Sequence, residues 1–292
     1  MKAISEAMLR YVEHMGLSEL NGNSQTHLAG VHFYRAAQGS PRQPLLYQSG
    51  IIIIGQGRKV IHLGEHHVNY AAGEYLVLGV PLPLECEAYA EPGEAILSLS
   101  IDVPAVLLHE LVHLLAGHKH SEQAAKHQLD CGIKSASYDE DFQHCCIRLL
   151  KALTDPCEAL ILGPGLIREL IYRVLVGPQG HTLFGLAQHD GHYARVAKVL
   201  TRVHKDYAKE LSVEDLAAEA NMSVSAFHRA FRQVTLESPL QYLKKVRLVK
   251  AKELISVSGK KASEAANLVG YTSPSQFSRE FKRHFNHTPG QL

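Results

Sequence analysis

The stretch Ser223-Val-Ser-Ala-Phe-His-Arg-Ala-Phe-Arg232 returns 50 residues later as Ser273-Pro-Ser-Gln-Phe-Ser-Arg-Glu-Phe-Lys282, with Ser, Ser, Phe, Arg and Phe in register. On a helix turning about 100° per residue, Val224, Phe227, Phe231 and Val234 form one apolar stripe. Ser225, His228, Arg229 and Arg232 gather on another face. The second copy divides in the same way, with Pro274, Phe277, Phe281 and Phe285 packed and Ser275, Gln276, Ser278, Arg279, Lys282 and Arg283 exposed. A lone amphipathic helix with such a face is most simply a solvated surface. Duplication of the whole unit changes that reading.

Each copy is preceded by a short alanine-rich helix, Val213 to Ala220 or Ala262 to Val269. A tight turn follows at Asn221-Met222 or Gly270-Tyr271, where Asn and Gly tolerate a left-handed backbone. Upstream the register slips by one, pairing Ala217 with Ala266 and Asn221 with Gly270. Ser238-Pro239-x-Gln241 and Thr288-Pro289-x-Gln291 read as capping boxes with proline at the first helical position. Between the units, Pro239 to Ile255 predicts a helix about 25 Å long, a strut able to set two reading helices in successive major grooves about 34 Å apart. Short polar side chains near a helix N-terminus, followed by arginines, suit base edges and phosphates. From Arg195 onward 17 Lys+Arg face 9 Asp+Glu, whereas the preceding residues carry 13 against 20. A basic C-terminal part behind a net charge of only +1 points to a polyanionic partner for that part alone.

With 292 residues, 46 % of them hydrophobic, the chain can bury two cores. It contains no apolar run of about 18 residues and opens without a secretory signal, so a cytoplasmic protein with no membrane partner is expected. Its five cysteines, two of them adjacent, read as thiols rather than a disulfide framework.

Upstream of the repeat, β-branched or alternating runs punctuated by Gly and Pro predict an antiparallel β sandwich or barrel over about residues 28–102, at 31–34, 51–54, 59–63, 74–78 and 96–101. Pro104 opens a helix to Ala116, Gly117 to Ser137 reads as a mobile loop, and helices are expected over Asp139 to Leu153 and Cys157 to Val176, the latter interrupted at Gly163-Pro164-Gly165. The glycine-rich segment Gly177 to Gly191 reads as the domain boundary. The fold class is therefore α+β with two domains: residues 1–180 as an antiparallel β sandwich or barrel with flanking helices, and 192–292 as an all-α double helix-turn-helix domain.

LSVEDLAAEANMSVSAFHRAFRQVTLESPLQYLKKVRLVKAKELI and ASEAANLVGYTSPSQFSREFKRHFNHTP resemble the two subdomains of the AraC/XylS family of transcription regulators, a likeness that runs from about Tyr193 to the end. The resemblance implies that Ser225, His228, Arg229 and Arg232 belong to a first reading helix and Ser275, Gln276, Ser278, Arg279 and Lys282 to a second. It implies binding to double-stranded promoter DNA and activation by contact with RNA polymerase, and it implies that residues 1–180 are a cupin-like β barrel for sensing and dimerisation, although the sequence leaves the oligomeric state open. Asn286 stands where the family commonly has glycine, and Leu292 comes where its last helix begins. Ile51-Ile-Ile-Ile54, Val80 to Ala90 and Gly165 to Leu170 are similar to an aldehyde-responsive activator of that family, which implies a small reactive aldehyde as effector and an aldehyde reductase or other oxidoreductase gene as target.

Three motifs invite other chemistry. His109-Glu110-Leu111-Val112-His113 is an HExxH sequence, which on a helix could hold Zn²⁺ with His118 or His120 as third ligand. Those two lack the spacing, and Leu107, Leu108, Leu111, Leu114 and Leu115 on the opposite side make it an ordinary surface or dimer-interface helix. His62, Glu65, His66 and His67 do not reproduce a metal-binding cupin's spacing, and Gly55-Gln56-Gly57-Arg58 fits no phosphate loop and reads as a hairpin. No metal, cofactor or catalytic residue is expected, and the chain reads as no enzyme. Cys86, between Glu85 and Glu87 and after Pro81-x-Pro83, is the candidate effector-sensing thiol at a pocket rim, although adjacent acids oppose thiolate formation; the alternative is a small buried apolar side chain.

Overall fold

In the computed structural model, residues 2–63, 66–116, 133–187 and 191–292 are described. They fall into two compact units, one of Met1–Arg42, Ser49–Gly79 and Cys86–Gln188, the other of Gln43–Gln48, Val80–Glu85 and His189–Leu292.

The first unit opens with helix α1 (Lys2–His14), unforeseen in the sequence, whose Ile4, Met8 and Tyr11 are buried. Strands β1 (Gly22–Gln25), β2 (Val31–Ala36), β3 (Ser40–Tyr47), β4 (Gly50–Gln56), β5 (Arg58–Leu63), β6 (His66–Ala71), β7 (Glu74–Leu78), β8 (Leu82–Tyr89) and β9 (Ile96–Ile101) follow, with residues 43–47 of β3 and 82–85 of β8 counted in the second unit. β10 (Ile133–Ser137) returns to pair antiparallel with β7, Ile133 opposite Leu78. A six-stranded sheet runs β1-β2-β9-β4-β7-β10 and a four-stranded one β3-β8-β5-β6.

The five strands expected from alternation are present, and the five that were missed are short, proline-bearing or polar. Residues 133–137 are not loop, because pairing to an already formed β7 outweighs their weak pattern. Gly55 to Arg58 is no hairpin either: β4 and β5 lie in different sheets, and Gly57, at φ +87°, makes the passage between them. The remainder of the expected loop, with His118, His120 and Cys131, lies outside the described residues, as does Glu65.

Helices α2 (Ala105–Leu115), α3 (Glu140–Ala152), α4 (Pro156–Val176) and α5 (Gly180–Ala187) complete the unit. α4 is continuous through Pro164. Gly163 lets the helix pass close to Leu28, whose side-chain end would have to shift to admit a Cβ 2.4 Å away. The glycine-rich boundary contains α5, whose Leu183 and Phe184 are buried; Gly180 reflects close approach to the Leu175 carbonyl rather than flexibility. One core joins α1, the six-stranded sheet and α2 to α5, through Phe33, Ile53, Leu99, Cys145, Leu170 and Val174 among others.

The helices of the second unit are α6 (His192–Asp206), α7 (Val213–Glu219), α8 (Val224–Thr235), α9 (Pro239–Ser256), α10 (Ala262–Leu268) and α11 (Pro274–Phe285), followed by a 3-10 turn, Pro289–Gln291. No described helix is long and apolar enough to cross a membrane.

Candidate nucleic-acid interface

The two turns of the repeat are built alike. Asn221 and Gly270 have φ of +52° and +86°, and the amides that follow, Met222 and Tyr271, donate to the carbonyls of Ala217 and Ala266. Ser223 then caps α8 by accepting from the Ala226 amide at 3.3 Å, and Ser273 caps α11 by accepting from the Gln276 amide at 3.2 Å. The helices end alike too, with Leu236 and Asn286 in the left-handed region at φ +60° and +63°. Asn286 thus does the work of the glycine usual there.

Phe227, Phe231 and Val234 are buried on α8, and Phe277, Phe281 and Phe285 on α11. Edge contacts link Phe227 to Phe231 and Phe231 to Tyr242 of α9, and Tyr271 to Phe277. Val224 and Pro274 leave the expected stripe: Val224 is 40 % exposed and Pro274 is exposed, because the first turn of each helix projects beyond the packed layer. Ser225, His228, Arg229 and Arg232 are all exposed on α8; Ser275, Gln276, Ser278, Arg279, Lys282 and Arg283 are all exposed on α11. Two side-chain faces of donors and cations therefore stand on rigid, doubly capped helices.

Supporting residues absent from the sequence reading fix these faces. Glu280 accepts from the Gln276 side-chain amide at 3.1 Å, from Lys244 at 3.2 Å and from the Tyr271 hydroxyl at 2.8 Å. Burial opposes its charge, yet these three bonds hold its carboxyl below the usual range. Arg247 on α9 donates to the carbonyls of Tyr207, Lys209 and Gly270, tying the strut to the end of α6 and to the second turn. α9 has 18 residues, about 27 Å of helix. Thr288 and Gln291 close both halves of a capping box, while Ser238 accepts from the Gln241 amide at 3.4 Å.

In the β unit, Cys86 is not at a rim. It is the fifth residue of β8 and only 2 % exposed, because alternation sends Leu82, Leu84, Cys86 and Ala88 inward. Glu87 lies on the opposite face, 2.9 Å from His62 and bonded to Tyr89, which holds its carboxyl below the usual range. The charge that acts together with Cys86 belongs instead to Lys59, which the sequence reading passed over as one residue of a strand. Cys86, Cys145, Cys146 and Cys157 are thiols. Burial pushes the Cys145 thiol up to about 12.

Along the HExxH helix, Leu108 and Leu111 are buried but Leu114 is 57 % exposed, so the apolar side is narrower than expected. Glu110 is engaged by Arg168 of α4 at 2.9 Å. No group of three or more His, Cys, Asp or Glu among the described residues is arranged to hold a metal ion.

Residues 27–182 match the family described as AraC-type transcriptional regulator N-terminus, and residues 216–292 match a helix-turn-helix domain. The chain is 36 % identical over 97 residues to the HTH-type transcriptional regulator AlkR of Acinetobacter baylyi, covering 33 % of this chain and 32 % of AlkR. It is 32 % identical over 99 residues to the HTH-type transcriptional activator RhaS of Klebsiella pneumoniae, covering 34 % of this chain and 36 % of RhaS. The matches thus span about a third of the length of these curated relatives. Apo ToxT from Vibrio cholerae shares the fold across 93 % of this chain and 98 % of its own, with a TM-score of 0.57 and 11 % identity.

Proposed function

Because the chain belongs to the family of AraC-type transcriptional regulators, DNA-binding regulators and not enzymes, we propose that it is a sequence-specific activator whose two reading helices enter successive major grooves of one promoter. The observation that carries this is the pair of exposed faces on α8 and α11, each mounted on the same turn, cap and phenylalanine stripe. Ser225, His228, Arg229 and Arg232 read the first half-site; Ser275, Gln276, Ser278, Arg279, Lys282 and Arg283 read the second and hold its phosphates. Residues 192–292 carry DNA binding, residues 1–180 carry effector binding and homodimerisation, and activation proceeds through contact with RNA polymerase.

The effector we assign is a small reactive aldehyde, supported by the likeness of residues 51–54, 80–90 and 165–170 to YqhC, the activator of an aldehyde reductase gene. The target is then an aldehyde reductase or another oxidoreductase gene. Cys86 stands inside the β unit, where its thiol can meet an electrophilic carbon. An effector must favour one conformation over the other to activate, since equal affinity for both shifts nothing.

Genome-wide mapping of binding sites, with a reporter on the strongest site challenged by glyoxal in wild type, Cys86→Ser and Cys86→Ala, tests the reading. Discrete promoter sites and aldehyde induction are expected. Binding spread without sequence preference would remove the activator, and an unresponsive wild type would remove the aldehyde.

A further inference from the structure

We propose that the β unit captures its effector at Lys59, whose buried amine lies over the Tyr34 ring on the same interior face as Cys86 and condenses with a small aldehyde to an imine. This rests on the aldehyde reading above and assigns that reading its reacting atom.

Lysine is almost never fully buried without a paired charge. Lys59 is 6 % exposed, on β5 between exposed Arg58 and buried Val60. Its Nζ stands 4.1 Å from the centroid of the Tyr34 ring, a face that attracts a cation but carries no formal charge. β5 and β8 are neighbours in the four-stranded sheet, and the thiol facing inward from β8 is Cys86. Among the described residues, the titratable group that acts on Lys59 is that thiol, which favours the ammonium only as a thiolate, and no carboxylate joins it. Glu87, the acid beside Cys86, is turned to the other face and engaged with His62 and Tyr89. Tyr34 packs against a cluster of small and aliphatic side chains, Ala36, Ala88 and Ile96. An amine, a thiol and an aromatic face thus share an apolar interior.

An amine attacks a carbonyl only when neutral. Burial brings Lys59 down from 10.5 to about 8, which at pH 7 raises its neutral fraction roughly 300-fold over an exposed lysine. The Nζ lone pair adds to the aldehyde carbon and an N–H proton passes to the oxygen, giving a carbinolamine. Loss of water then leaves the C=N bond. No oxidant or reductant is consumed. The imine also removes the need to keep an ammonium buried, so capture favours the conformation in which Lys59 is enclosed, the differential affinity a switch requires.

The test treats the full chain at pH 7 with propionaldehyde, and separately with glyoxal, in sodium cyanoborohydride, which reduces an imine to a stable secondary amine that peptide mass mapping locates. Lys59 is expected to label about ten-fold faster than exposed Lys198 and Lys209, and no adduct should survive dialysis when the reductant is omitted. In the reporter, Lys59→Arg, which keeps the charge but forms no imine, and Lys59→Met should both lose induction, with melting curves confirming that each folds. Labelling of the exposed lysines with Lys59 untouched would overturn the proposal, as would full induction in Lys59→Arg. Wild-type induction with the adduct confined to Cys86 would overturn it while leaving the aldehyde reading intact. Selective Lys59 labelling without induction would uphold the capture site and remove the regulatory reading.

Discussion

Arg247 donates to the carbonyl of Gly270 at 3.2 Å, so the strut helix is fastened to the turn that precedes the second reading helix. The same turn has no room for a side chain: a Cβ at Gly270 would lie 2.3 Å from the Ala208 carbonyl oxygen, and φ there is +86°. Gly270→Ala therefore meets both backbone strain and a backbone clash, and should destabilise the second unit by at least about 2 kcal/mol. Urea unfolding of wild type and variant checks it. A midpoint unchanged by the substitution would mean that the turn can be remade at no cost.

Removing the guanidinium at either reading helix tests the faces themselves. Arg229→Ala and Arg279→Ala should each weaken binding to the strongest mapped site by about 1 to 3 kcal/mol, the range for losing a base-directed pair, and weaken binding to random duplex much less. Titration of both duplexes at fixed salt is the measurement. Equal losses on both would make these arginines phosphate contacts.

The helix-turn-helix repeat was legible because each of its signals is local. A serine cap, a left-handed Asn or Gly and phenylalanines spaced by four residues fix turn, helix and buried face with no help from distant residues. Even the register slip that pairs Asn221 with Gly270 reappears in the backbone, at Met222 and Tyr271. The β unit was less legible because its weaker strands are decided by partners far along the chain. β10 follows a long interval and owes its conformation to β7, and α5 hides in glycines whose role is close packing. Lys59 was overlooked for a related reason. A single lysine in a strand looks like any solvent-facing residue until the sheet shows which side it is on. Cys86 stands out in the sequence between two glutamates, but alternation sends those glutamates to the opposite face.

Residues from about 185 onward, expressed alone, should bind the strongest mapped site, with affinity falling steeply as salt rises, because lysines and arginines displace condensed counterions. Plotting log affinity against log salt gives the number displaced. A folded fragment with no affinity at low salt would refute the assignment of DNA binding to residues 192–292.

The second unit should be acid-sensitive. Burial, aided by the nearby charge of Lys250, lowers His204 to about 4, where it hydrogen-bonds Tyr242 at 2.6 Å. Burial, with Lys245 the largest of the charges acting in the same direction, lowers His284 to about 4. Both are neutral when folded and titrate near 6.5 when unfolded, so the unfolded chain binds more protons between those values. Stability is then full above pH 6.5 and is lost as pH falls toward 4. Thermal melts of the full chain from pH 7.5 to 4.5 should show the decline, shallower in His284→Gln. A flat profile would mean that the two rings are solvated.

Lys59 makes the opposite kind of test, at alkaline pH and without any aldehyde. Its ordinary value is 10.5 and its folded value about 8, so between these the unfolded chain carries the extra proton and stability rises with pH. The contribution is complete above 10.5, falls away as pH drops to 8, and is constant below. A shift of that size corresponds to about 3 kcal/mol as an upper bound, reduced by the attraction of the Tyr34 ring for the ammonium. Lys59→Met keeps the length and apolar stem of the side chain without the charge. It should unfold at higher urea than wild type at pH 7, and the difference should shrink as pH is raised from 8 toward 10.5. Urea titrations at pH 7, 8.5 and 9.5 supply the comparison, with Lys198→Met as the exposed control. A gap that stays constant with pH would place the Lys59 ammonium in contact with solvent, and the interior amine on which imine capture depends would be lost with it.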